Sequence, residues 1–230
     1  LYQFDNGRTF LGLTMLIPLF SVFLLQKFIM KQAIMHTFSF IKPSRKWLLF
    51  AILLPIFMGY SYHTYIRLTY SEFFLFPTFT EFLPVFFIGL TIGSLSALLE
   101  EVVWRGNFHY YFRKQYGLWS TACFTAVIWS MWHLPIALFY KSYVTPGIIS
   151  LVYLLLLCML SIILTLIREY GKSIVPVAIM HGMMNVFYLS ERQLYISIDS
   201  QEVLKSIGML LALLICILFM CHKTVTILKK

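Results

Sequence analysis

Glu100-Glu101-Val102-Val103-Trp104-Arg105, Trp129-Ser130-Met131-Trp132-His133-Leu134-Pro135 and His181-Gly182-Met183-Met184-Asn185 set two carboxylates, a guanidinium, two imidazoles and an amide inside apolar stretches. An ionisable side chain in hydrocarbon costs several kcal/mol unless it is paired or faces a wet cavity, so each of these marks a candidate functional site. Together they supply what a hydrolytic centre needs: bases that take a proton from water and donors that hold a developing oxyanion.

Glu100 and Glu101 are neighbours, so on a helix their side chains point ~100° apart and need not share a role. Arg105, four residues after Glu101, lies on the same face, where an ion pair forms readily. That pair would keep Glu101 ionised and hold the helix in place. Glu100, lacking the partner, suits a general base acting on water. The alternative is that both carboxylates sit at a helix end among headgroups and are simply solvated. His133 alone would read as a satisfied core histidine; level with Glu100, it could hold the other side of a water and later return a proton to a leaving amine. Trp129, one turn earlier, would wall the pocket, or else anchor the span at the membrane interface. His181 and Asn185 project from one helix face as two donors aimed at one point, an oxyanion-binding arrangement. Their alternative is a polar contact between helices in the membrane.

Position along the chain supports a contact between the first two motifs. Glu100 precedes Tyr116 by 16 residues and His133 follows it by 17. Two antiparallel helices about a turn at Tyr116-Gly117 would bring Glu100 and His133 to one level, ~24 Å from that turn. The third motif must arrive on another helix.

The surrounding chain is built for lipid. Of 230 residues, 60% are hydrophobic and 12% charged, with a mean hydropathy of +0.83; ordinary globular chains carry about a quarter charged residues. Apolar runs of membrane-crossing length fall near 9–28, 47–66, 82–104, 118–140, 147–167, 173–190 and 203–222. The expectation is an all-α polytopic membrane bundle of about seven transmembrane helices, eight if another precedes Leu1. No polar linker or low-complexity tract divides the chain, so residues 1–230 read as a single integral-membrane domain with a motif-bearing core near 82–190. The first run is too long for a signal-peptide core and lacks a small-residue cleavage site.

Net charge +9 does not point to nucleic acid, because the basic residues form no stripe. Thirteen of the 18 Lys and Arg residues fall near 27–46, 105–117, 168–172 and after 222, and these loops should face the cytoplasm. Arg8, Arg67, Lys141, Arg192 and Lys205 make up the opposite set. Cys123, Cys158, Cys216 and Cys221 lie in apolar runs without a C-x-x-C pattern and read as buried thiols. His36, His63, His109 and His222 fall in loops or span ends and read as solvated. Ser94, Ser96 and Ser161 lack a nucleophile-elbow context. No H-E-x-x-H is present; Glu100, His133 and His181 could in principle bind a metal, but the favoured reading has no metal and no cofactor.

The three fragments together resemble the CAAX protease and bacteriocin-processing family of intramembrane proteases (CPBP, also called Abi). Its pattern is E-E-x-x-x-R, then F-x-x-x-H, then H-x-x-x-N or D, in that order on separate helices. The first and third motifs stand complete here, and Gly106 after Arg105 also fits. The second carries Trp129 in place of the usual phenylalanine. The resemblance covers roughly 82–190. It implies peptide-bond hydrolysis without an acyl-enzyme: Glu100 and His133 activate water, His181 and Asn185 stabilise the oxyanion, and Glu101 with Arg105 orients the site. It further implies a peptide or C-terminal protein segment as substrate, prenylated in some members, and a multi-pass place in a membrane, with the short chain looking more like the bacterial branch in a cytoplasmic membrane. Bacterial members are linked to bacteriocin maturation or self-immunity. The competing readings are a non-catalytic scaffold or immunity protein that keeps the fold, and a small proton-coupled transporter, which should show inverted repeats that are not visible here.

Overall fold

The computed structural model describes residues 16–70, 79–190 and 196–228. Outside the described residues lie the start of the first expected span, the loop residues Arg8 and Arg192, the tail residues Lys229 and Lys230, and the side chains of His36, Cys221, His222 and Lys223.

Among the described residues the architecture is helical throughout. In chain order, α1 is Leu16–Ile29, α2 Arg45–Tyr70, α3 Phe79–Gln115, α4 Leu118–Trp132, α5 Leu134–Phe139, α6 Pro146–Gly171, α7 Val175–Leu189 and α8 Ile198–Leu228. Helix α2, α3, the α4–α5 pair, α6 and α8 are long and apolar enough to cross a membrane, whereas α1 and α7 are shorter apolar helices. All seven expected apolar runs are therefore helical where described. The third differs most from its expected limits of 82–104. It is one uninterrupted helix of 37 residues that runs through Gly106 without a break. Wide π turns at Gly89–Gly93 and Val102–Phe108 carry the irregularity instead. Such turns recur at functional sites because they rotate the side chains that follow.

The bundle hides polarity and exposes hydrocarbon. Leu53, Phe57, Ile92, Leu95, Val127, Leu151, Leu155, Leu211 and Ile215 point outward, where lipid would cover them. Glu100, Glu101, Arg105, His133, Arg168 and His181 are buried. Two of the cysteines also depart from expectation: Cys123 is exposed on this outer surface and Cys158 is half-buried, while Cys216 is buried as expected.

Helix α6 is the centre of the bundle. Its Leu156, Leu160, Ile163, Leu164 and Ile167 are fully enclosed, and α4, α5, α7 and α8 pack around it. Helix α7 fills the remaining interior between α2, α3 and α6. The α3–α4 hairpin forms as the spacing predicts. Tyr116 turns extended (φ −125°, ψ 158°) after its N–H bonds Phe112 O at 2.8 Å. The rings of Phe108 and Phe112 stack, and Phe112 and Tyr116 meet the Phe124 ring at a tilt across the turn.

Helix α3 is joined to α6 by a polar seam as well as by packing. Positions 105, 109 and 113 share one face of α3. Arg113 donates to both oxygens of Glu169 (3.2 and 3.1 Å), and His109 Nε2 lies 3.2 Å from the same carboxylate. His109 and His63 are thus buried rather than solvated, since α3 and α2 run further than their apolar cores alone suggest.

Helix α3 and α7 approach closely enough for backbone to meet backbone. A Cβ on Gly182 would collide with the main chain of Gly93 and Ser94, and one on Gly93 would come within 3.1 Å of Gly182 O. Small residues are what allow such crossings in membranes. Gly182→Ala should therefore lower the thermal midpoint in detergent by roughly 3–10 °C, from an overpacking cost of about 1–3 kcal/mol. Gly147→Ala, whose Cβ would meet nothing within 4 Å, should move it far less. Equal shifts for both variants would refute the close-crossing account.

Candidate active site

The two adjacent glutamates leave the end of the regular part of α3 toward different partners. Glu101 faces Arg105, whose Nη1 donates to both carboxylate oxygens at 2.9 and 3.1 Å. His181 Nδ1 lies 2.7 Å from Oε1 of the same group. Glu100 faces α4 and accepts a hydrogen bond from Trp129 Nε1 at 2.9 Å. The relative exposures are 4% for Glu100, 0% for Glu101, Arg105 and Trp129, 6% for His133 and 3% for His181, so this is an interior site rather than a solvated helix end.

Arg105 reaches further. Its Nη2 donates to Ser161 Oγ at 2.6 Å and contacts Ser161 O at 3.3 Å on α6. Its guanidinium also lies 4.9 Å from the centroid of the Trp129 ring. Trp129 stands edge-on to both imidazoles, with centroids 4.8 Å from His133 and 5.3 Å from His181. The interfacial-anchor role for Trp129 is excluded by its complete burial.

His133 owes its place to Pro135. Proline has no N–H for the carbonyl four residues back. Helix α4 accordingly ends at Trp132, and the chain passes through His133 (φ −88°, ψ −1°) into the short α5. His133 Nδ1 lies 2.8 Å from Trp129 O. A carbonyl can only accept, so Nδ1 carries the proton, and in the neutral ring Nε2 keeps its lone pair. That nitrogen lies 4.0 Å from Glu100 Oε2.

The structure thus brings Glu100, Glu101, Arg105, Trp129, His133 and His181 into one cluster, from α3, α4 and α7. Asn185 stands apart. It opens the π turn Asn185–Leu189, is exposed, and makes no hydrogen bond to any of these six side chains. The motifs gave no sign of Ser161 and Arg168: a serine and an arginine on a fourth helix, α6, carry no spacing signal. Arg168 Nε donates to the main-chain O of Arg105 at 2.9 Å. Among the described residues, no three His, Cys, Asp or Glu side chains gather in a metal-holding arrangement.

Part of this chain is similar to known proteins. Residues 81–187 match the family model described as type II CAAX prenyl endopeptidase Rce1-like. A stretch of 64 residues is 34% identical to CAAX prenyl protease 2 of Methanococcus maripaludis, covering 28% of this chain and 22% of that protein. The chain thus spans about a fifth of the length of this curated relative. The resemblance to CAAX-type intramembrane proteases, read from three short motifs, is borne out over the segment that carries the site.

A buried ion pair stripped of one partner leaves an uncompensated charge, at a cost of about 3–5 kcal/mol. Arg105→Met and Glu101→Gln should each destabilise the protein strongly. The double variant should lose less than the two single losses added, with a coupling of about 1–3 kcal/mol in a thermal or denaturant series. Strict additivity would show that the pair is not the anchor its geometry indicates.

Proposed function

We propose that this chain is an intramembrane endopeptidase in which Glu100 and His133 activate a water molecule for attack on a peptide carbonyl. One observation carries the reading: Glu100 Oε2 and His133 Nε2, both acceptors, stand 4.0 Å apart. A water with legs of ~2.8 Å to each would donate one hydrogen to the carboxylate and one to the imidazole. Its oxygen lone pair is then free for the carbonyl carbon. Glu100 takes the proton as the C–O bond forms. The proton returns through His133 Nε2 to the leaving amine as the C–N bond breaks, so the site ends as it began.

His181 is assigned to the oxyanion. Its Nδ1 is held by Glu101, so Nε2 can donate only when both ring nitrogens carry protons. Glu101, flanked by Arg105 and facing His181, is the carboxylate that supports that state. Asn185, four residues along α7 and exposed, is assigned as a second donor to bound substrate. Trp129 fixes the Glu100 carboxylate through Nε1. Neither a metal nor another cofactor enters these steps.

For substrate, we assign a peptide or C-terminal protein segment reaching the site from the bilayer. The name of the Methanococcus protein favours a prenylated one. On the resemblance to the CAAX protease and bacteriocin-processing family, we further assign a bacterial cytoplasmic membrane as its place, and processing of secreted peptides, including bacteriocins, as a use.

The test is cleavage of prenylated and unmodified quenched peptides in proteoliposomes. Glu100→Gln, His133→Ala and His181→Ala should each lower kcat/KM by about 10²–10⁴. Unchanged turnover in Glu100→Gln would remove the carboxylate from the reaction. A zinc chelator should leave the rate unaltered; loss with recovery on adding zinc would move the chemistry to a metal.

Trp129→Phe separates packing from orientation. The ring survives, but Glu100 loses a donor, and a charge-assisted hydrogen bond in such a setting contributes about 1.5–3 kcal/mol. Turnover should fall roughly 10- to 100-fold with KM little changed. Full activity in Trp129→Phe would mean that the indole N–H does not orient the carboxylate.

A further inference from the structure

Arg105 is gripped twice by α6, and neither gripping residue belongs to a motif. Ser161 takes its guanidinium: Oγ accepts from Nη2 at 2.6 Å, and the Ser161 carbonyl lies at 3.3 Å. Arg168, seven residues along the same helix, donates from Nε to the main-chain carbonyl of Arg105 at 2.9 Å. Seven residues are two turns, so both side chains leave one face of α6 and close on one residue of α3. Ser161 is fully enclosed and Arg168 is 7% exposed.

The place of the grip matters because Arg105 lies within the π turn Val102–Phe108. A π turn replaces the regular i to i−4 ladder, which loosens the local hold on main-chain carbonyls. An outside donor such as the Arg168 guanidinium can stabilise that geometry. Two chains of contact then run from Arg105 to the reacting groups. One passes through Glu101 to His181. The other passes under the Trp129 ring to Glu100, which faces His133. A shift of Arg105 would therefore disturb the proposed oxyanion donor and the proposed base together.

We infer that Ser161 and Arg168 are positioning residues that hold the Val102–Phe108 turn, and through Arg105 fix the relative placement of Glu100, Glu101 and His181. The inference rests on the peptidase reading for its kinetic consequence, but its structural core can be measured without turnover.

Two experiments decide it. Amide hydrogen exchange over Val102–Phe108 should quicken in Ser161→Ala and Arg168→Gln relative to wild type, with helix α8 unchanged. Unaltered exchange across the turn in both variants would overturn the inference whether or not a substrate is known. In the peptide assay, Ser161→Ala and Arg168→Gln should lower kcat about tenfold with KM within twofold. Ser161→Thr, which keeps the hydroxyl, should restore most of the rate. A Ser161→Ala enzyme with wild-type kcat, beside a dead Glu100→Gln enzyme, would sink this inference alone. An active Glu100→Gln enzyme would sink the peptidase reading and leave the exchange result standing. Should Arg168→Gln fail to fold, Arg168→Lys, which keeps charge but cannot place a donor at the Nε position, replaces it with the same expectations.

Discussion

A guanidinium without water must find its partners in the protein, and Arg105 imposes that demand on every helix near it. The desolvation of a full charge is offset only if a carboxylate, further acceptors and a polarisable face surround it together. Glu101 supplies the charge, Ser161 the acceptors and Trp129 the face. Those residues come from α3, α6 and α4, so the contacts of one side chain fix three helices against one another. The hydrophobic effect cannot do this within a membrane, since lipid tails are as apolar as the helix surfaces.

The fourth element, α7, is located by a different rule. Its Gly182 presses against the backbone of Gly93 and Ser94, a contact that depends on the absence of a side chain. The residue just before it is His181, which this crossing delivers to Glu101. Steric closeness and the polar bond therefore act at the same level of the bundle. A larger residue at 182 would push the imidazole away from its carboxylate even though no polar group had been altered.

Much of the helical plan was legible because its causes are local. Apolar length marked the helices, and equal distances from Tyr116-Gly117 placed Glu100 opposite His133. The spacing of Glu101 and Arg105 announced their pair. What stayed hidden depends on the third dimension. Nothing in the chain shows that Trp129 donates to Glu100, or that His181 turns first to Glu101. Ser161 and Arg168 sit on a helix whose pattern is that of plain core. His109 read as a solvated end residue because the seam to Glu169 is formed 60 residues away. Asn185 read as a close companion of His181, yet the π turn it opens leaves it exposed. Spacing tells which side chains share a helix face. It does not tell what stands opposite.

Adjacent glutamates in one membrane helix would ordinarily repel, and the geometry explains why both can be kept. Successive residues point about 100° apart, so the two carboxylates enter separate environments. Glu101 is committed: two bonds from Arg105 and a short contact with His181 leave it little acceptor capacity. Glu100 has one donor, the Trp129 indole, and an imidazole lone pair at 4.0 Å. A carboxylate with a fixed orientation and an uncommitted lone pair can accept a proton; a saturated one can only hold its neighbours in place. The division of work between two identical side chains is thus set by their partners. The same partners bind the helices together, so the fold and the proposed reactive geometry share one set of contacts.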